Sequence, residues 1–216
     1  MADRYILYGG EGTGAVAVEA ALALIGAPYD VIDLPDATAL EAARTVNPAA
    51  QVPALALPDG QTLTESAAIL LRLTELHPQA GLAPGVDDPR RGAFLRWLSF
   101  VATQVYAHYW VKDDPMRLVS DPAEAPVVEA RLNDRIAACW AIMEAGLAPG
   151  GPYLLGEAPS VLDLYVTVIS RFRPRRQRFY EVAPRMGQAV RRVDADPRLA
   201  DLWARRYPFF DGWDRM

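Results

Sequence analysis

The sequence predicts an α/β domain over its first third and an all-helical domain after it. Three observations carry this expectation. Short apolar runs at Tyr5–Tyr8, Tyr29–Leu34, Pro53–Leu57 and Gln61–Thr64 are interleaved with helical patterns as far as residue 77. A composition break follows, where Gly81, Pro84, Gly85 and Pro89 crowd together. Beyond the break the apolar residues recur at helical spacing and no strand-like run returns. The expected boundaries are 1–80 for the first domain, 81–88 for the linker and 89–216 for the helical domain.

Each element has a local reason. The first strand runs into Gly9-Gly10-Glu11-Gly12-Thr13-Gly14, and a helix rich in Ala, Val and Leu follows from Ala15 to Ile25, closed by Gly26. Tyr29–Leu34 is the second strand, and the helical crossover before it predicts a parallel βαβ unit. Ala37–Val46 reads as a helix ended by Asn47-Pro48. Pro53 cannot donate to a ladder, so it belongs at the first residue of a strand or on an edge. Pro58-Asp59-Gly60 turns that strand back on the next. A helix from Glu65 to about His77 follows, with Thr64 as the expected N-cap.

In the second domain, Arg90–Trp110 reads as one long amphipathic helix carrying Phe94, Trp97, Leu98, Val101 and Val105. Pro122–Leu147 reads as another, with Val127, Leu132, Ile136, Cys139 and Met143 as its buried stripe. Ser160-Val-Leu-Asp163 has the form of a capping box, with Asp in place of the usual Glu, and opens an apolar helix over Val161–Ile169. Later helices are expected over Phe179–Met186, Gly187–Asp194 and Pro197–Arg206.

Composition narrows the function. The 216 residues carry a net charge of −5, with 51% hydrophobic and 23% charged residues. That balance is ordinary for a globular protein and lacks the basic excess of a nucleic-acid binder. A lone cysteine, Cys139, excludes an intrachain disulfide and fits a reducing, cytoplasmic setting. No leader pattern opens the chain, and no uncharged apolar run reaches the length of a membrane span. Gly10-x-Gly12-x-Gly14 after a strand invites a nucleotide-binding reading, with Asp33 where a ribose-binding acid would sit. The spacing differs from G-x-G-x-x-G, and the further βαβ units of a dinucleotide domain are missing.

The residues with the clearest chemistry are Gln51-Val52-Pro53 and Glu65-Ser66. A cis Val52–Pro53 bond would turn the Val52 amide and carbonyl outward, where they can pair with the backbone of a bound peptide. The first turn of the helix after Glu65 offers free amides and a dipole to a carboxylate. The Ser66 hydroxyl adds a donor, and Glu65 can pair with an ammonium. A carboxylate receptor beside an ammonium receptor describes an amino-acid head group, and a pairing edge one strand away describes the peptide attached to it.

Gln-Val-Pro followed about a dozen residues later by Glu-Ser-x-Ala-Ile-Leu resembles the glutathione transferase family, and the likeness extends over nearly the whole chain. It implies a thioredoxin-like first domain, which the order β-α-β-α-β-β-α also matches, and an all-α second domain that forms the electrophile site. It implies that Val52, before a cis Pro53, holds the cysteinyl backbone of glutathione, and that Glu65 and Ser66 hold its γ-glutamyl end, with Gln51 beside them. Glutathione would be the cosubstrate, with no metal, and the family's habit implies a cytoplasmic homodimer serving detoxification. The expected reaction is attack of the glutathione thiolate on a small hydrophobic electrophile. The alternatives are a non-catalytic glutathione-binding or carrier module of the same fold, and a glutathione-dependent peroxidase or disulfide reductase.

In this family the loop after the first strand carries the group that activates the thiol. Here its one hydroxyl is Thr13, the first candidate, with helix capping as its alternative role. Tyr8, at the end of the first strand, is the second candidate, near where Tyr-type members place their phenol. Gly12 and Gly14 stand near where Ser-type and Cys-type members carry the active residue. Tyr106, Tyr109 and Trp110 are the expected apolar wall for the electrophile, with interhelical packing as the alternative. Arg171, Arg173, Arg175, Arg176 and Arg178 read as a solvated loop or, alternatively, as a positive field over the site.

Overall fold

The computed structural model describes residues 4–213. The outer ends of the two expected domains, 1–3 and 214–216, lie outside the described residues, as does the very start of the chain read for a leader. Strands β1 (Tyr5–Gly9), β2 (Tyr29–Asp33), β3 (Ala54–Ala56) and β4 (Thr62–Thr64) form a single sheet in the order β2-β1-β3-β4. β1 runs parallel to β2, with Tyr5 opposite Tyr29, and antiparallel to β3, with Tyr8 opposite Ala54. β4 returns antiparallel beside β3. Helix α1 (Ala15–Ile25) supplies the parallel crossover and ends at Gly26, whose left-handed φ of 74° lets its amide close on Leu22 and Ala23. Helix α2 (Ala37–Ala42) is shorter than its pattern predicts, because the chain tightens into a 3₁₀ turn at Ala43–Thr45 before Asn47-Pro48. Helix α3 (Ser66–Leu76) packs beside α1. This is the thioredoxin-like domain expected from the sequence.

Strand alternation assigns the faces. Leu7 is fully buried among the α1 side chains, and a Cβ on Gly9 would fall 2.2 Å from that of Ala15, so odd-numbered β1 positions face α1. Even-numbered positions, Tyr8 among them, face the other way.

The named elements from residue 91 onward are helical: α4 (Arg91–Phe100), α5 (Tyr109–Lys112), α6 (Ala125–Gly146), α7 (Val161–Ile169), α8 (Arg176–Val182), α9 (Pro184–Asp194) and α10 (Ala200–Arg206). The expected single helix over Arg90–Trp110 is therefore interrupted. A π-helical turn at Val101–Val105 and a 3₁₀ turn at Tyr106–His108 separate α4 from α5. Such turns change the register of the residues that follow, and they recur at functional sites. In α6 the buried stripe begins only at Ile136. Val127 is 60% exposed, contrary to expectation, because the first turns of this helix meet their neighbours through another side, where Glu129 accepts from Lys112. The break between α8 and α9 falls at Ala183 rather than after Met186, since Pro184 is suited to the first turn of a helix.

Helix α7 is the centre of the second domain, with every residue from Val161 to Ile169 buried. Asp163 opens it as the capping box predicted. Its carboxylate accepts from the Ser160 amide at 2.8 Å, the Ser160 hydroxyl at 2.7 Å and the Leu154 amide at 2.8 Å. The two domains are tied on the far side of α1. Buried Glu19 accepts from Arg206 at 2.7 Å, and Arg206 also reaches Asp33 at 2.8 Å. Asp33 thus serves an interdomain ion pair, which removes the acid of the nucleotide-binding reading.

Candidate active site

A cleft of about 1460 Å³ separates the two domains. Its thioredoxin-like wall brings together Thr13, Gln51, Val52, Pro53, Glu65 and Ser66, which the sequence placed in three separate stretches. Its helical wall includes Tyr106, Tyr109 and Trp110. Of the ten residues singled out by sequence, Tyr8 alone stands apart: it lines a smaller adjoining cavity with Leu34, Asn47 and Ala54, on the sheet face turned from α1.

The Val52–Pro53 bond is cis, and the β3 ladder begins only at Ala54. Asn47 braces this corner. Its side-chain amide donates to the Gln51 carbonyl at 2.7 Å, and its oxygen accepts from the Ala49 amide at 3.1 Å. Sequence reasoning took Asn47 for a helix stop; an Asn-Pro pair does not announce a side chain that reaches four residues forward.

Helix α3 starts at Ser66, and its N-cap is Glu65 rather than Thr64. Glu65 has φ 66° and ψ 106°, an uncommon conformation for a residue with a side chain, worth roughly 1–3 kcal/mol of local strain. Its side chain makes no capping bond, so the first-turn amides of α3 keep their donors. Ser66 is buried, and its hydroxyl meets that of Tyr165 on α7 at 2.6 Å. The sequence presented Tyr165 only as part of an apolar helix.

Gly10-Glu11-Gly12-Thr13-Gly14 wraps the entrance to α1. Thr13 Oγ1 donates to the Gly10 carbonyl at 2.8 Å and accepts from the Ala15 amide at 3.3 Å. In this arrangement the hydroxyl proton points into the loop, and the oxygen supports the start of the helix. Gly12 has φ 71°, which a glycine adopts without cost.

The helical wall is aromatic. Tyr109 is buried edge-on against Phe172, with ring centres 5.1 Å apart, while Trp110 is half exposed under the Arg117 guanidinium. Tyr106 packs on Tyr109, Tyr165 and Phe172 with centre distances of 6.3, 6.2 and 5.7 Å. Burial pushes the Tyr106 phenol up to about 12 and raises Tyr109 as well, so both are neutral at physiological pH.

The arginine cluster divides. Arg173 and Arg175 line the cleft, whereas Arg178 pairs with Asp134 at an exposed position. Arg171 and Arg176 are buried, contrary to the solvated-loop reading. Arg176 pairs with Asp194 and donates to the Thr167 carbonyl at 2.7 Å. Arg171 lies against the rings of Tyr207, Phe209 and Trp213, and burial together with the neighbouring Arg176 lowers its pKa to about 10. Cys139 is a buried core thiol, and His77 meets the Tyr5 phenol at 2.8 Å. Among the described residues, no group of three or more His, Cys, Asp or Glu side chains is placed to hold a metal ion, and no helix is long and apolar enough to cross a membrane.

Known proteins resemble this chain in sequence and fold. The model of the N-terminal domain of glutathione S-transferases matches residues 15–76. The uncharacterised GST-like protein YncG of Escherichia coli is 29% identical over 212 residues, covering 92% of this chain and 97% of that protein. A crystal structure of a glutathione transferase homologue from Sulfitobacter, with bound glutathione, superposes with a TM-score of 0.83 at 26% identity, over 93% of this chain and 97% of that one. The chain is similar to glutathione S-transferases over nearly its whole length, and its first domain matches their N-terminal domain. A sphingomonad glutathione S-transferase complexed with glutathione is similarly related, with a TM-score of 0.75 and 27% identity over 91% of this chain and 96% of the other.

Proposed function

We propose that the protein is a glutathione transferase that joins glutathione to a small hydrophobic electrophile. The observation that supports this most is the shared cleft: Val52, Glu65 and Ser66 converge on one wall, opposite an aromatic wall of Tyr106, Tyr109 and Trp110. In this reading the backbone of Val52, before Pro53, pairs with the cysteinyl unit, and Gln51 borders it. The first-turn amides of α3 and the Ser66 hydroxyl take the γ-glutamyl carboxylate, and Glu65 takes its ammonium. The cysteinyl sulfur loses its proton to solvent and attacks an electrophilic carbon. A sulfur–carbon bond forms, and the leaving group departs with its electron pair. The reading extends to a cytoplasmic, detoxifying homodimer, and sedimentation as a monomer at working concentration would contradict the dimer.

A second reading is a glutathione-binding module without turnover. What favours it is the Thr13 hydroxyl, whose proton is given to the Gly10 carbonyl. One experiment separates the two. Ultraviolet titration of bound glutathione reports its thiolate, and turnover is measured with aryl halides and peroxides. A bound thiol that titrates like free glutathione, with neither substrate class consumed, excludes the transferase. Turnover of peroxides alone moves the assignment to glutathione-dependent reduction.

A further inference from the structure

The loop entering α1 leaves a vacancy in side-chain terms that another part of the chain fills. Gly14 is the N-cap of this 11-residue helix. A Cβ on Gly14 would lie 2.3 Å from Tyr106 Oη and 2.7 Å from its Cζ. The phenol of Tyr106, delivered from the helical domain, thus occupies the volume that a side chain at position 14 would need. Three aromatic neighbours fix the ring there, and the π-helical turn at Val101–Val105 precedes it directly.

We propose that Tyr106 is a catalytic residue, whose hydroxyl donates to the glutathione sulfur from the space left open by Gly14. This rests on the glutathione reading above and names the group that makes it work. Tyr106 lines the cleft, and its phenol oxygen lies directly beside Gly14 at the entrance to α1. Because burial keeps the phenol protonated at neutral pH, it serves as a donor and not as a competing anion. The N-terminus of α1 lies at the same point, and its dipole favours a thiolate over a thiol. The two hydroxyls nearer in sequence are less suited: Thr13 gives its proton to Gly10, and Tyr8 lines the other cavity.

The test compares Tyr106→Phe with the unaltered protein. Phe keeps the ring and removes only the hydroxyl. Ultraviolet titration of bound glutathione should show its thiol pKa rising by about one unit toward the free value of ~8.5, with the pH profile of kcat/KM moving in step. S-methylglutathione, which has no thiol proton, should bind both proteins within about twofold. An unchanged thiol pKa alongside intact S-methylglutathione binding overturns the role of Tyr106 and leaves the glutathione reading standing. Failure of the unaltered protein to bind S-methylglutathione at all overturns both. Gly14→Ala provides a second route, because its methyl group must displace the phenol; the same rise is expected, and an unmoved pKa counts equally against the assignment.

Discussion

Ser66 stands at two junctions, and its removal should report on each separately. The residue is 5% exposed, and its hydroxyl lies 2.6 Å from that of Tyr165, 99 positions away in the other domain. Ser66→Ala leaves the buried Tyr165 hydroxyl without its partner, which costs about 1–3 kcal/mol of stability. That is a substantial part of the 5–15 kcal/mol typical of a folded protein, roughly speaking, yet it should not unfold the chain. The same change removes a donor to the γ-glutamyl carboxylate. A hydrogen bond to a charged group is worth about 1.5–3 kcal/mol, so glutathione affinity should fall roughly tenfold to a hundredfold. Tyr165→Phe breaks the same interdomain bond but keeps the Ser66 hydroxyl. It should lower the urea midpoint while holding glutathione affinity within about twofold. Urea unfolding and calorimetric titration of the two variants give the four numbers required. Unchanged affinity in Ser66→Ala would refute the carboxylate site. Equal affinity losses in both variants would show that Ser66 acts through the domain contact and does not touch the ligand.

Three other outcomes are expected. Glu65→Gly should relax a positive-φ position and raise stability by up to about 1 kcal/mol in urea unfolding, while glutathione affinity falls for want of the ammonium partner; tighter binding would contradict that role. Asp163→Ala strips three hydrogen bonds from the start of α7, two of them from buried backbone amides, and should cost at least about 3 kcal/mol, read from the urea midpoint. Asp194→Asn leaves the fully buried Arg176 guanidinium without its counter-ion, and a loss of about 3–5 kcal/mol is expected; a loss below about 1 kcal/mol would show that the Thr167 and Ser170 contacts suffice.

Features that depend on neighbours in sequence were legible there. The Pro58-Asp59-Gly60 turn and the Ser160-to-Asp163 box each act within a few residues, and each appears in the structure, while Pro53 stands one residue before its strand. The break in the long helix was not legible, because Phe94, Trp97, Leu98, Val101 and Val105 keep helical spacing straight through the π turn. A register change of this kind leaves the apolar pattern intact. Glu65 as N-cap was also hidden, since nothing in its side chain favours φ of 66°. The arginine segment misled for a different reason. Guanidinium groups on apolar stems can be sunk when rings or a carboxylate receive them, and those receivers, Asp194 and Tyr207 to Trp213, lie well downstream. The contacts of Ser66 with Tyr165 and of Gly14 with Tyr106 cross between domains and carry no local signal.

The clamp between Glu19 and Arg206 has a consequence for how the chain matures on the ribosome. These partners are 187 residues apart, and the aromatic sleeve around Arg171 also arrives late in synthesis. Until both have emerged, an acid on α1 and a guanidinium beside α7 lack their native partners, and burying either would be costly. This seam between the domains can therefore be completed only when most of the polypeptide is available.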